Sequence, residues 1–188
     1  MNLKVAKLST DTVEDFYHVH SRENDHDWCF CVAWWSPTWE AWSNRTSEEN
    51  RQRREQLFDS GIYDGYLFYD GSKAIGWCQC CPGDQLFKLN LEYNLKPNSE
   101  IYTITCFIIA PSYREIGLGH KFLELILDDL KNRGIKYVRA FPRRGKDLAV
   151  EDLWTGPEQF YLKAGFSLER NDAKYPIYGK QLIEIPVE

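Results

Sequence analysis

An arginine, two glycines one residue apart and a histidine follow directly on an apolar run in "TITCFIIAPSYREIGLGH", residues 103–120. Gly117 and Gly119 remove side chains where a buried strand gives way to a long helical pattern. A ligand can therefore approach the first helical turn, whose free N–H groups and positive dipole end favour an anion. Arg114 adds a charged fork suited to phosphate oxygens. The stretch lacks the Gly-Lys-Ser/Thr ending of a nucleotide P-loop and the third glycine of a dinucleotide fingerprint. The alternative use of these glycines is close strand–helix packing.

Other chemistry-bearing residues are scattered. Segment 26–42, "HDWCFCVAWWSPTWEAW", holds five of the seven tryptophans, which serve either as core filler or as flat walls of a pocket. Trp34 and Trp35, with Trp77 and the Trp154 of "WTGPEQF", are the candidates for a substrate pocket that favours an apolar or aromatic part. Glu92, in "KLNLEYN" ahead of the central strand, is a candidate acid–base group, and Glu151, Asp152 and Glu158 are carboxylates placed to attract a cation. His18 and His20 fall in a helical stretch, where surface or satisfied-core roles are the default. The six cysteines fall in "CFC", "CQCC" and at Cys106; neither stretch contains a histidine or the two-residue spacer of common zinc knuckles, so free, mostly buried thiols and no metal are expected.

The elements that must position these groups are legible in the spacing. Residues 3–9 alternate as an edge-like strand. A helix follows, with Asp11 and Glu14 in capping-box spacing, and "TSEENRQRREQLFDSG" (46–61) opens on a Thr46/Glu49 box and reads as a polar helix with a thin apolar edge, near the surface. Asp70-Gly71 joins two strands as a hairpin. "TITCFIIA" is apolar on both faces at its centre, as an interior strand is. Residues 117–133 form an amphipathic helix with Phe122, Leu125, Ile126 and Leu130 along one face, stopped by Gly134, and "IKYVRAFP" completes a strand–helix–strand unit with parallel strands. A short helix over 156–165, with Pro157 in its first turn, precedes two closing strands.

With 188 residues, 43% hydrophobic and 27% charged, a single domain spanning 1–188 is expected. A formal charge of −5 argues against nucleic acid as a partner. No stretch reaches the roughly 18 apolar residues of a membrane span, and no signal-like segment opens the chain, so a cytoplasmic protein without membrane contact is expected.

"FIIAPSYREIGLG" resembles the Arg/Gln-x-x-Gly-x-Gly/Ala signature of the GNAT superfamily of N-acyltransferases, which lies between the fourth strand and third helix of that fold. "FYLKAGF" (160–166) is similar to the second signature of the family, a tyrosine followed by Gly-Phe. The resemblance covers nearly the whole chain. It implies an α/β (α+β) fold with a mixed, mostly antiparallel sheet of about seven strands flanked by helices and splayed between the fourth and fifth strands.

It also implies acetyl-CoA as cofactor and CoA as product. Arg114 and the backbone of Glu115, Ile116, Gly117, Leu118, Gly119 and His120 would hold the pyrophosphate; Phe107, Ile108 and Ile109 would offer backbone to the pantetheine arm, with Phe160 packing beside it. Tyr161 matches the tyrosine that protonates the departing thiolate. A phenol of pKa about 10 stays protonated at neutral pH, while a thiol sits near about 8.5. The reaction implied is direct attack of a primary amine on the acetyl carbonyl. A small-molecule amine is the expected acceptor and a protein amine the next, with the chain a monomer or homodimer. The alternative is a non-catalytic acyl-CoA-binding module of the same fold. Where many members carry an asparagine seven residues before the tyrosine and an alanine four before it, this chain has Trp154 and Pro157, so "WTGPEQF" is free to shape the acceptor pocket.

Overall fold

A computed structural model describes residues 1–184, and of residues 150 and 151 the backbone alone. In chain order its elements are β1 (Leu3–Lys7), α1 (Val13–Val19), α2 (Trp39–Ser43), α3 (Ser47–Asp59), β2 (Gly65–Asp70), β3 (Lys73–Pro82), α4 (Phe87–Glu92), β4 (Ile101–Ile109), α5 (Leu118–Asn132), β5 (Tyr137–Ala140), α6 (Glu158–Lys163), β6 (Ser167–Arg170) and β7 (Ile177–Gln181). The strands form one sheet in the order β1-β2-β3-β4-β5-β7-β6. All neighbours are antiparallel except β4 and β5, the parallel pair joined through α5. This is the mixed, mostly antiparallel seven-stranded sheet expected. No helix among the described residues is long and apolar enough to cross a membrane.

Local chemistry explains most boundaries. Gly71, at φ +62°, turns β2 into β3, and Thr46 and Glu49 cap α3 reciprocally, with the Thr46 N–H donating to Glu49 Oε2 at 2.7 Å. Gly134, at φ +80°, ends α5. The box expected at Asp11/Glu14 is instead made two residues earlier, where the Ser9 N–H donates to Thr12 Oγ1 at 3.0 Å. Pro157 is the extended residue capping α6 rather than part of its first turn.

Three buried clusters are built on the sheet, two of them on its opposite faces. On one face α5 buries Phe122, Leu123, Ile126, Leu127 and Leu130 against Tyr66, Phe68, Ile104 and Val138, each large apolar side chain contributing about 1.5–3 kcal/mol. On the other, Phe16 and Val19 of α1 pack with Phe30, Leu67 and Trp77. The thin apolar edge expected of α3 is present as buried Leu57 and Phe58, and the same edge also buries a charge. Arg54 is fully buried there, pairing with buried Asp64 at 2.8 Å. Its Nε and second amino group also donate to the Phe30 and Cys31 carbonyls, both at 2.9 Å. Gln79 joins the network, donating to Asp64 at 2.6 Å and accepting from Thr105 Oγ1 at 2.8 Å. A buried charge is tolerated only when partnered this completely, and helical periodicity alone marks such a residue as surface.

Candidate functional site

The β4–β5 pairing runs from Ile101/Tyr137 to Ile104/Ala140 and stops, whereas β4 continues to Ile109. Thr105 is an extra residue on β4: Gln79 pairs with Cys106 and Cys80 with Ile104, leaving Thr105 without an opposite number. Such a bulge bends and twists a strand, and here it coincides with the point where β5 departs. Beyond it the Phe107 amide and the Ile109 carbonyl both face away from β3. The Phe107 N–H donates to the Trp154 carbonyl at 2.8 Å, and the Ile109 carbonyl accepts from Arg114 Nε at 2.7 Å. Ile108 does not share this edge. Its carbonyl faces β3, 2.8 Å from where a Cβ on Gly76 would lie. The expectation of a continuous open edge over residues 107–109 is corrected to its alternate members, because strand backbone groups alternate in direction.

At the open end of β4 the chain passes through a short turn at Pro111–Tyr113 and reaches α5 by way of Gly117, which caps the helix at φ +82°. A Cβ at Gly117 would meet nothing within 4 Å, and one at Gly119 would lie 3.5 Å from the Phe160 ring. The protein itself therefore does not fill the space these glycines vacate. The first amide of α5 to find a carbonyl is Lys121, donating to Gly117 at 3.5 Å; those of Leu118, Gly119 and His120 precede it, where a helix has none to offer. Leu118 is buried and anchors the turn, while Arg114, Glu115, Ile116 and His120 are exposed. Glu115 holds a left-handed φ of +63°. Phe107 and Phe160 meet edge-on at 5.0 Å, and the His120 ring lies 4.8 Å from Phe160.

Between the parted strands runs the segment ahead of α6. Its successive carbonyls are all used: Trp154 by the Phe107 N–H, Thr155 by the Tyr161 hydroxyl at 2.8 Å, and Gly156 by the Arg143 N–H at 3.2 Å. Gly156 sits at φ +81°, and a Cβ there would press on the Tyr161 ring at 3.0 Å. Tyr161 is completely enclosed, and burial, reinforced by the surrounding thiols, pushes its phenol well above the usual range. Thr155, which sequence reasoning passed over, thus sits beside both. The one local signal was a glycine two residues after a tryptophan and just before a proline.

A cavity of about 670 Å³ opens beside this segment. Trp34, Trp39, Trp42, Trp154, Tyr93 and Tyr175 supply its aromatic walls, Glu92 and Asp172 its carboxylates and Arg170 a cation. Glu92 closes α4, a helix to which the sequence reading assigned no element. Two of the four tryptophans expected here are elsewhere. Trp77 is fully buried on the α1 side of β3, its indole N–H donating to Cys31 Sγ at 3.1 Å, and Trp35 donates to Asp64 at 2.7 Å. Glu158 is not available to a cation, since Arg144 and Tyr178 hold its carboxylate, and Arg144 keeps it below the usual carboxylate range. Asp152 is exposed; the side chain of Glu151 lies outside the described residues, as do the last positions of the closing strand.

Among solved structures, the PaiA N-acetyltransferase of Thermoplasma acidophilum, crystallised with coenzyme A, matches at TM-score 0.55 and 21% identity, over 96% of this chain and 99% of that one. The ribosomal-protein-S18-alanine N-acetyltransferase of Escherichia coli matches at 0.55 and 16%, over 98% and 96%, and Ard1 of Thermoplasma volcanium at 0.53 and 13%, over 98% and 100%. At such identities these likenesses speak for the fold. A comparison with curated proteins finds no match. Residues 14–166 match the family model described as acetyltransferase (GNAT). Because that match runs from α1 to the edge of β6, the chain belongs to the GNAT family of acetyltransferases.

Proposed function

We propose that this protein transfers the acetyl group of acetyl-CoA to a primary amine. The observation that carries the reading is the parting of β4 from β5 after Ile104, with unfilled glycine positions at the open end of β4. The residues fit the cofactor: the turn at 114–120 offers helix-end amides and the Arg114 guanidinium to a diphosphate, and the PaiA relative was crystallised with coenzyme A. Acetyl-CoA supplies an activated thioester. Phe107 and Ile109 offer backbone groups along the opening, and Phe160 covers one side.

The chain's own groups then have distinct tasks. The Phe107 N–H, once released by the Trp154 carbonyl, donates to the oxygen on which negative charge develops. Glu92, an exposed residue lining the same cavity as Trp154, is assigned the proton of the incoming amine. Tyr161 retains its proton because it is enclosed, and the same enclosure raises the proton affinity of a thiolate leaving beside it. Trp34 and Trp154 wall the acceptor's apolar part. A small-molecule amine suits a cavity of about 670 Å³ better than a folded protein surface does.

One observation favours a second reading, a CoA-binding module without turnover: both proposed donors, Phe107 N–H and Tyr161 O–H, are already satisfied by the carbonyls of residues 154 and 155. Free-thiol release from acetyl-CoA over a panel of amines, run beside calorimetric titration with CoA, separates the two. Binding with thiol release establishes the transferase, binding without release on any amine establishes the module, and absence of CoA affinity removes both.

A further inference from the structure

On the opposite face of β4 from Phe107, two thiols that the proposed reaction does not use lie against one another. The Sγ atoms of Cys31 and Cys106 are 3.0 Å apart, 75 residues distant in sequence, and both side chains are buried. The backbone is strained to bring them there. Phe30 and Cys31 are consecutive non-glycine residues at left-handed φ values of +44° and +46°, a conformation that costs on the order of 1–3 kcal/mol per residue and persists only where its surroundings enforce it. The enforcement is explicit: Arg54 grips the Phe30 and Cys31 carbonyls, and Gln79 Nε2 donates to the Cys31 carbonyl at 2.9 Å. A core cysteine needs none of this to fill space.

The surroundings of Cys31 Sγ are also polar. The Trp77 indole N–H donates to it at 3.1 Å, and His20 Nε2 lies 3.6 Å away. His20 Nδ1 donates its hydrogen to the Phe16 carbonyl at 2.9 Å, which leaves the Nε2 lone pair facing the sulfur. Cys31 thus has a hydrogen-bond donor that steadies negative charge on sulfur, an imidazole lone pair facing it, and a second thiol in contact.

We propose that Cys31 and Cys106 are a reversible oxidation site, converted by hydrogen peroxide to a disulfide that ties the 26–36 segment to β4. In the first step the Cys31 sulfur attacks one peroxide oxygen. An S–O bond forms, the O–O bond breaks, and the thiol proton passes to the departing oxygen, which leaves as water. In the second, the Cys106 sulfur displaces the hydroxyl from Cys31; the S–S bond forms, the S–O bond breaks, and a second water carries off the Cys106 proton. The two sulfurs together lose the two electrons that the peroxide gains. The sulfurs need close by only about 1 Å to reach bonding distance. Burial selects the oxidant: it must be near the size of water, since both side chains are buried, and burial pushes the Cys31 thiol well above its usual range, so the reaction is slow.

The test is peptide mapping of the folded full chain after hydrogen peroxide, under non-reducing conditions. A peptide pair joining Cys31 to Cys106 is expected, together with loss of two of the six free thiols and full recovery with dithiothreitol. Cys29→Ser, which alters the half-buried neighbour, should leave the link intact; Cys106→Ala should abolish it and leave Cys31 as a sulfenic acid trapped by dimedone after denaturation. If Cys106→Ala fails to fold, Cys106→Ser read in the same way decides the matter. Oxidation confined to Cys29, sulfinic acid at Cys31 without a link in the unsubstituted chain, or six free thiols after treatment would each overturn the proposal.

Discussion

The Trp154 carbonyl accepts the Phe107 N–H at 2.8 Å across the gap between β4 and β5. A substrate oxygen that is to use this amide must first displace that carbonyl, and the Thr155 carbonyl, one residue on, releases the Tyr161 hydroxyl if the segment moves as a unit. Hydrogen exchange in a peptide covering residues 152–157 is therefore expected to rise when acetyl-CoA is added. Exchange that falls or stays level there, with CoA demonstrably bound, would show that the segment does not yield.

The glycine turn makes a steric prediction that is independent of chemistry. A Cβ at Gly119 makes ordinary contact with Phe160, so Gly119→Leu should fold with a stability loss under about 1 kcal/mol. Its side chain enters the space beside the first amides of α5, and the Kd for CoA should rise at least about tenfold, equivalent to about 1.4 kcal/mol. Calorimetry and a thermal melt on the same sample check both halves.

Tyr161→Phe separates binding from proton delivery. The expected result is a drop of about 100-fold or more in kcat, with CoA affinity essentially retained. Thr155 loses the partner of its carbonyl, so the melt should also fall, by the equivalent of about 1–3 kcal/mol. An unchanged kcat would remove Tyr161 from the mechanism and leave it a packing residue.

How much of this was legible beforehand depends on the range over which each interaction acts. The Asp70-Gly71 turn, the Thr46/Glu49 cap and the Gly117-x-Gly119 opening of α5 are local chemistry, readable from a few neighbouring residues. Trp77 was misplaced because β3 is buried from Ala74 to Cys81, so alternation carries no information about which face a residue takes. The burial of Arg54 was not legible because its partners come from two other segments, residues 30–31 and residue 64. The bond between Trp154 and Phe107 spans distant residues through main-chain atoms, which leave no trace in residue type.

Acid should weaken the protein through His20. Burial lowers its pKa to about 4 against the opposing pull of Asp25, whereas an unfolded histidine titrates near about 6.5. Between those values the unfolded chain binds a proton that the folded one refuses. Stability is then full above about 6.5 and declines as the pH falls toward about 4. Urea denaturation at several pH values should show this slope in the parent and a shallower one in His20→Gln; identical slopes would contradict the assignment.

Arg54 and Asp64 offer a test of the buried network. Arg54→Met should cost about 3–5 kcal/mol by stranding a carboxylate, and adding Asp64→Asn should recover part of that loss. Strict additivity of the two substitutions in urea denaturation would mean that the pair is not coupled.

Thr105, the supernumerary residue that bends β4, hangs by its hydroxyl from Gln79, which in turn is moored to Asp64. The kink that parts the two strands is thereby governed from the far face of the sheet. Random mutagenesis scored on turnover should for that reason return hits in α3 that never touch a ligand, and their signature would be a disturbed Phe107 resonance rather than a lost contact.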